Sequence, residues 1–346
     1  MSIMQDQTSW DARQGFVFKS CDELLQLTQL PADASPRKYY RVEFTPRLLM
    51  EVPAHAPDFP AFVEISRHLV QLGLSAPQVY AMDLDRGLAL IEDFGHDTFT
   101  RLFARGESET ELYQLAIDTL VHLHDAPGAT RIDLPSYDET PLFEELGMFT
   151  DWFAPFCNPD LDIARFKQRF LSLWKQTLAE VAGRREVLVL RDYHVDNLMV
   201  IDGREGIAAC GVLDFQDALI GSATYDLVSL TQDARRSIAP ALETSLVERY
   251  LAARPNVDHA TFMADYWLLA AHRHTKILGN FERLSRRDGK HGYLRYQEHV
   301  STLLDRALSQ ANLTEIRSCM DECLPGWQQF AQARSSQPAD LHERRN

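Results

Sequence analysis

The stretch VLVLRDYHVDNLMV, residues 187–200, constrains this chain more than any other. Apolar residues run to Leu190. Arg191, Asp192, His194, Asp196 and Asn197 then interrupt them, and apolar residues resume at Leu198. Beyond lies a Gly-rich turn, DGREG (202–206), and a second strand-like run, IAACGVL (207–213), that ends at Asp214. A hairpin folded at the turn puts Asn197 and Asp214 at the feet of neighbouring strands, with Asp192 on the loop just before. Two carboxylates and a carboxamide then share one loop. Such an oxygen set suits Mg²⁺, which takes a few protein oxygens plus substrate phosphates. It also leaves one carboxylate to accept a proton. An Asp, four residues, an Asn and then an Asp closing a hairpin is the order that phosphoryl transfer uses. Turn chemistry at strand ends explains any one of these residues alone. It does not explain the set in this order.

The rest of the chain divides by pattern. Residues 1–14 are polar and read as a loose leader. From Gly15 to Phe94 short strands are expected: FVFKS as one, LLQLTQL as an ambiguous apolar run, then YYRVEF and RLLMEV. DFPAFVEISRHLVQLGL predicts a helix, with Phe62, Ile65, Leu69 and Leu72 on one face, Pro60 in its first turn and Gly73 at its stop. QVYAMDL and LALIEDF flank Asp85-Arg86-Gly87 as a hairpin. From Gly95 on the pattern is helical. Ser108 and Glu111 form a capping box, and DIARFKQRFLSLWKQTLAEVA is amphipathic. The tail RSSQPADLHERRN is expected to fray. The expectation is a sheet-rich lobe over residues 15–94 joined near Glu92–Gly95 to a helical lobe over residues 95–333.

Composition excludes several classes. The formal net charge of −15 repels phosphate backbones, so nucleic acid is not an expected partner. No apolar run has membrane-spanning length and the N-terminal residues do not read as a charged-then-apolar signal segment, so a cytoplasmic location is expected. Five scattered cysteines do not make a disulfide framework. Cys319 and Cys323 could share a helix face, but a closed zinc site needs a second ligand pair. Oligomeric state is not legible.

With those motifs in hand, LRDYHVDNLMV and GVLDFQDALIGSATYDLVSL resemble the aminoglycoside phosphotransferase and choline kinase-like superfamily, which shares the protein-kinase architecture. The resemblance covers about Leu24 to Ala307. Softer segments resemble one branch, the anomeric kinases of cell-wall amino sugars: ADASPRKYYRV, LGLSAPQVYAMD, LIEDFG, YDLVSLTQDARR and HTKILGNFERLSRRDGKHGYL. The resemblance implies an α+β, two-lobed protein-kinase-like fold, with a small antiparallel-sheet lobe and a larger helical one. It implies transfer of the γ-phosphoryl group of ATP, with Mg²⁺, to the C1 hydroxyl of N-acetylmuramate or N-acetylglucosamine, in peptidoglycan recycling. Asp192 would be the catalytic base and Asn197 and Asp214 the metal ligands. Asp226 would be a structural acid tethering the catalytic loop. His194 would orient that loop by a hydrogen bond on its substrate side. Glu92, Asp93 and Phe94 would flank the adenine, mostly through backbone groups.

Some positions depart from the family pattern. Met50 stands where a strand lysine usually pairs with the nucleotide phosphates, which leaves Glu64, its usual helix partner, without that role. Arg37, Lys38 and Arg41 become the candidate phosphate cations, since arginine grips phosphate in bidentate fashion; a solvated hairpin edge is the blander alternative. Leu190 and Ser222 replace a frequent histidine and proline. In the basic segment 270–296, Arg273, Lys276 and Arg287 are candidates for an acceptor carboxylate, against an ordinary solvated helix face. Two alternatives stay open: the same fold acting on an aminoglycoside, choline or another alcohol, and an inactive nucleotide-binding module.

Overall fold

The structure, a computed structural model, describes residues 2–31, 37–53 and 55–336, with side chains from Trp10 onward. Its elements in chain order are α1 (Ser2–Cys21), β1 (Leu27–Gln29), β2 (Lys38–Val42), β3 (Arg47–Glu51), α2 (Asp58–Gln71), β4 (Val79–Asp83), β5 (Leu88–Glu92), α3 (Phe99–Ala104), α4 (Glu109–Asp125), α5 (Glu139–Met148), α6 (Ala154–Cys157) and α7 (Ile163–Leu178). Four short strands follow: β6 (Val187–Val189), β7 (Leu198–Val200), β8 (Cys210–Val212) and β9 (Leu219–Gly221). The chain closes with α8 (Tyr225–Thr231), α9 (Pro240–Ala253), α10 (His259–Asp288), α11 (Gln297–Gln310), α12 (Thr314–Cys323) and α13 (Trp327–Ser335). The class is α+β. Among the described residues no helix is long and apolar enough to cross a membrane.

Contacts divide the chain into two compact units, residues 1–133 with 190–218, and residues 134–189 with 219–346. The first carries an antiparallel sheet of order β1-β2-β3-β5-β4. Alternation along the strands sends Tyr40, Leu49, Leu88 and Leu90 to one face, where they pack with Val17 of α1. FVFKS is therefore part of a helix, not a strand. Its F-V-F alternation coincides with a stronger four-residue spacing: Arg13, Val17 and Cys21 face the sheet at successive turns. Arg13 seals the contact, donating to Glu51 at 2.8 and 3.1 Å and lying 4.6 Å over the Tyr40 ring. The expected loose leader is helical from Ser2 as well. The remaining strands, α2 and the β4–β5 hairpin form where the pattern puts them. Gly73 ends α2 at a φ of +85°, and Ser108 caps α4 by accepting from the Glu111 amide at 3.3 Å.

The β7–β8 hairpin belongs to this first unit. Its edges are stitched to distant segments. The Val212 amide donates to Ser75 carbonyl at 2.8 Å, and the Val200 amide to Asp97 carbonyl at 2.9 Å.

The second unit is built around α10. Phe149, Phe153, Phe166, Phe170 and Trp174 form a buried aromatic stack within it. The segment expected to fray begins inside α13: Arg334 is buried and donates to Glu282 of α10 at 2.6 and 3.1 Å. Residues 337–346 of that segment, and Ala32 to Pro36 of ADASPRKYYRV, lie outside the described residues. Gly279 lets α10 touch the backbone at the end of α5. A Cβ there would sit 2.3 Å from the Met148 carbonyl and 2.4 Å from the Phe149 nitrogen. Backbone cannot yield as a flexible side chain can. Gly279→Ala is therefore expected to destabilise by about 1–3 kcal/mol or more, read by denaturant unfolding; an unchanged midpoint would show that α10 can shift freely.

Candidate active site

The loop after β6 is wound by local constraints. Arg191 takes a left-handed φ of +70°. Successive tight turns follow, with Asp192 amide to Leu190 carbonyl at 2.9 Å, His194 to Asp192 at 3.1 Å and Asn197 to His194 at 2.9 Å. Tyr193 and Val195 are buried and anchor the loop, the Tyr193 hydroxyl donating to Ala116 carbonyl of α4 at 2.8 Å. His194 between them is buried too. Asn197 Nδ2 donates to Asp192 carbonyl at 3.0 Å and lies 3.4 Å from His194 Nε2.

The ladder places Leu198 opposite Val212, and Leu213 amide donates to Asn197 carbonyl at 2.9 Å. Asn197 Nδ2 then reaches Asp214 Oδ2 at 3.4 Å. The second strand is shorter than the sequence suggests, because residues 206–209 form a 3₁₀ turn before β8. Asp214 is exposed with a left-handed φ of +59°. No cage of three or more His, Cys, Asp or Glu side chains occurs among the described residues. The donors at this loop are a carboxylate and a carboxamide, all-oxygen and incomplete, which fits Mg²⁺ sharing its ligands with phosphates.

Sequence reasoning passed over Asp217. Its carboxyl is raised above the usual range by desolvation first, eased by Arg191 and worsened by the charges of Asp192 and Asp214. The loop therefore concentrates negative charge, which a divalent cation relieves.

The segment after β5 is closely held. Arg41 of β2 grips Asp93 at 2.6 and 3.2 Å and touches His96 at 2.6 Å. The Asp93 carboxylate holds the Arg41 guanidinium above its ordinary pKa and also accepts from Gly95 amide at 2.8 Å. Glu92 pairs with Arg204 from the β7–β8 turn, and Arg204 donates to Ser75 at 2.9 Å. Phe94 is buried against Met199 and Ile201, over Gly211, where a Cβ would lie 2.8 Å from the ring. Arg204, Ser75 and Gly211 gave no sequence signal, since their partners are more than a hundred residues away.

Of the other candidates, Lys38 is exposed, opposite Glu51 in the sheet register. Met50 is fully buried. Glu64 lies on the exposed face of α2, lining a shallow cavity of about 460 Å³ with Arg67 and His68. Arg37 is buried, and its guanidinium pairs with Asp58 and donates to Gln216 at 2.8 Å.

In the second unit, Arg273 and Lys276 come together on Tyr225. Arg273 donates to its hydroxyl at 3.3 Å and Lys276 lies 3.4 Å from it. Lys276 pairs with buried Glu145 at 2.7 Å, which also accepts from Tyr137 at 2.6 Å. Arg287 is exposed and pairs with Asp288, about 16 Å further along the helix from Lys276. Asp226 is buried in the first turn of α8.

The chain matches the phosphotransferase enzyme family over residues 26–261. It belongs to that family. This phosphotransferase is 35% identical over 319 residues to the N-acetylmuramate/N-acetylglucosamine kinase of Caulobacter vibrioides, covering 90% of this chain and 86% of the relative. It is 32% identical to the protein of that name from Pseudomonas aeruginosa, covering 89% and 93%. Solved structures with the same fold include a choline/ethanolamine kinase family protein from Mesorhizobium loti, with a TM-score of 0.60 at 12% identity over 96% of this chain and 99% of that one. Another is an ADP-bound aminoglycoside phosphotransferase, with a TM-score of 0.56 at 15% identity over 88% and 99%. The fold is that of the protein-kinase-like phosphotransferases.

One group on α10 gives this phosphotransferase a pH dependence. His274 is fully buried and its pKa is driven well below 6.5, by desolvation first and then by Arg273. It stays neutral and donates from Nε2 to Gln232 at 2.9 Å, because the Gln232 amide itself donates to Tyr266. Below pH 6.5 the unfolded chain takes a proton that the folded chain refuses, so stability falls with pH from there. The wild type is expected to lose stability progressively as the pH falls below about 6.5, and His274→Gln to lose less. Parallel losses in the two proteins would assign the acid sensitivity elsewhere.

Proposed function

We propose that this phosphotransferase moves the γ-phosphoryl group of ATP to the anomeric (C1) hydroxyl of N-acetylmuramate or N-acetylglucosamine, giving a sugar 1-phosphate for peptidoglycan recycling in the cytoplasm. The observation that carries the reading is the 35% identity to a kinase of that name over 90% of the chain. The meeting of Asn197 and Asp214 beside Asp192 supports the chemistry.

In this reading Asp192 orients the acceptor hydroxyl and takes its proton as the bond to phosphorus forms. Asn197 and Asp214 would hold Mg²⁺, which neutralises charge on the phosphates when bound. Glu92, Asp93 and Phe94 present backbone groups to the adenine, with their side chains engaged by Arg204, Arg41 and the hairpin core. Residues 15–94 serve the nucleotide and residues 95–333 the catalytic loop and acceptor. Lys276 and Arg273, arranged on Tyr225 with Glu145, are two cations beside one carboxylate, and the positive charge in excess suits an acceptor carboxylate.

The test is ³¹P NMR with Mg-ATP and a panel of N-acetylmuramate, N-acetylglucosamine, kanamycin and choline. A sugar 1-phosphate resonance is expected with the two amino sugars. Asp192→Ala is expected to cut the rate by about 10²–10⁴-fold or more with nucleotide still bound. Product only with kanamycin or choline would overturn the acceptor. Turnover within a few-fold of wild type would remove Asp192 from its role.

A further inference from the structure

Met50 is fully buried in the sheet, and Glu64 lies on the exposed face of α2. The cation of this region comes from Arg37, immediately before β2. It pairs with Asp58, the first residue of α2, and donates from Nη1 to Gln216 Oε1 at 2.8 Å. Gln216 Nε2 in turn donates to Asp214 Oδ1 at 2.8 Å. The amide has one possible orientation here. A guanidinium only donates and a carboxylate only accepts, so the carbonyl must face Arg37 and the NH₂ must face Asp214. An aromatic column runs beside this chain of polar groups. Arg37 lies 5.4 Å over the Phe62 ring of α2, and Phe62 stacks on Phe215 at 5.3 Å and 14°. Phe215 is fully buried and adjacent to Asp214.

We propose that Gln216 is a positioning residue for the metal-holding carboxylate of Asp214, and that Arg37 and Asp58 fix its orientation. Asp214 is exposed, and its carboxylate accepts from the amides of Gln216 and Asn197. The Gln216 bond engages Oδ1 and turns Oδ2 toward Asn197, 3.4 Å away. Arg37 is buried and engaged on both sides, so it acts on the nucleotide through this chain of contacts and not as a phosphate clamp. The proposal rests on the assignment of Asp214 to the metal.

The experiment measures the affinity of a non-hydrolysable ATP analogue by calorimetry, with Mg²⁺ and with EDTA, so no acceptor is involved. In Gln216→Met, which keeps the side-chain volume, affinity in EDTA is expected to stay within about two-fold of wild type. The gain conferred by Mg²⁺ is expected to fall by about 10-fold or more, the range for partners that orient a metal ligand. An unchanged Mg²⁺ gain, or equal losses with and without Mg²⁺, would overturn the proposal. A wild-type chain that gains nothing from Mg²⁺ would overturn the Asp214 assignment and the proposal with it. Failure of the amino-sugar reading alone would leave this binding difference intact. Should Gln216→Met not melt cooperatively, Asp58→Asn decides. It removes the charge that holds Arg37 and sits at a half-exposed position. A smaller loss of the Mg²⁺ gain supports the proposal, and a wild-type gain overturns it.

Discussion

A three-residue ladder underlies the whole site. Leu198, Met199 and Val200 pair with Val212, Gly211 and Cys210. That register puts Asn197 and Asp214 side by side at its end. Side chains alternate along a strand, so a slip of one residue would turn Asp214 away from Asn197 and Leu213 out of line with its carbonyl. A ladder this short does not hold its register alone. The Ser75 and Asp97 carbonyls extend it on both edges, and Cys210, Leu198 and Val212 are buried. Burial pushes the Cys210 thiol up to about 12, a sign of how apolar the surroundings of this hairpin are.

The second constraint is electrostatic. Asp192, Asp214 and Asp217 crowd the loop, yet the cations nearby are already committed. Arg41 serves Asp93, Arg204 serves Glu92, and Arg37 serves Asp58 and Gln216. Each pair ties down a backbone segment of the first unit, and within the loop itself Arg191 eases the charge on Asp217. In the proposed reading, a bound divalent cation would relieve the charge that remains. Membership of the phosphotransferase family and this distribution of charge point to the same chemistry.

The second unit shows the same economy of charge. Glu145, with Tyr137 and Lys276, and Glu282, with Arg286 and Arg334, are buried carboxylates with cations on them. Breaking one partner away would leave a buried charge, so such groups specify one packing arrangement. They also explain why the basic character of residues 270–296 is misleading as a measure of free positive charge.

Much of this was legible in local pattern. The order Asp192, Asn197, Asp214 and the turn between them placed the hairpin feet together, because strand pairing around a turn is a matter of counting. Helix α2, with Pro60 and Gly73, and the β4–β5 hairpin followed from periodicity and turn residues. The first helix did not: Phe16-Val17-Phe18 alternates like a strand, and only the sheet that α1 covers shows why the spacing of Arg13, Val17 and Cys21 wins. Nor could the sequence tell which acids meet which arginines. Arg37 meets Asp58 and Gln216, 21 and 179 residues away, and no local spacing announces either partner. The sequence by itself determined the chemistry the chain carries, since residue types and short spacings are local. Tertiary structure alone decided which charges are spent on the scaffold, because pairing depends on distances that the chain sets only when it closes on itself.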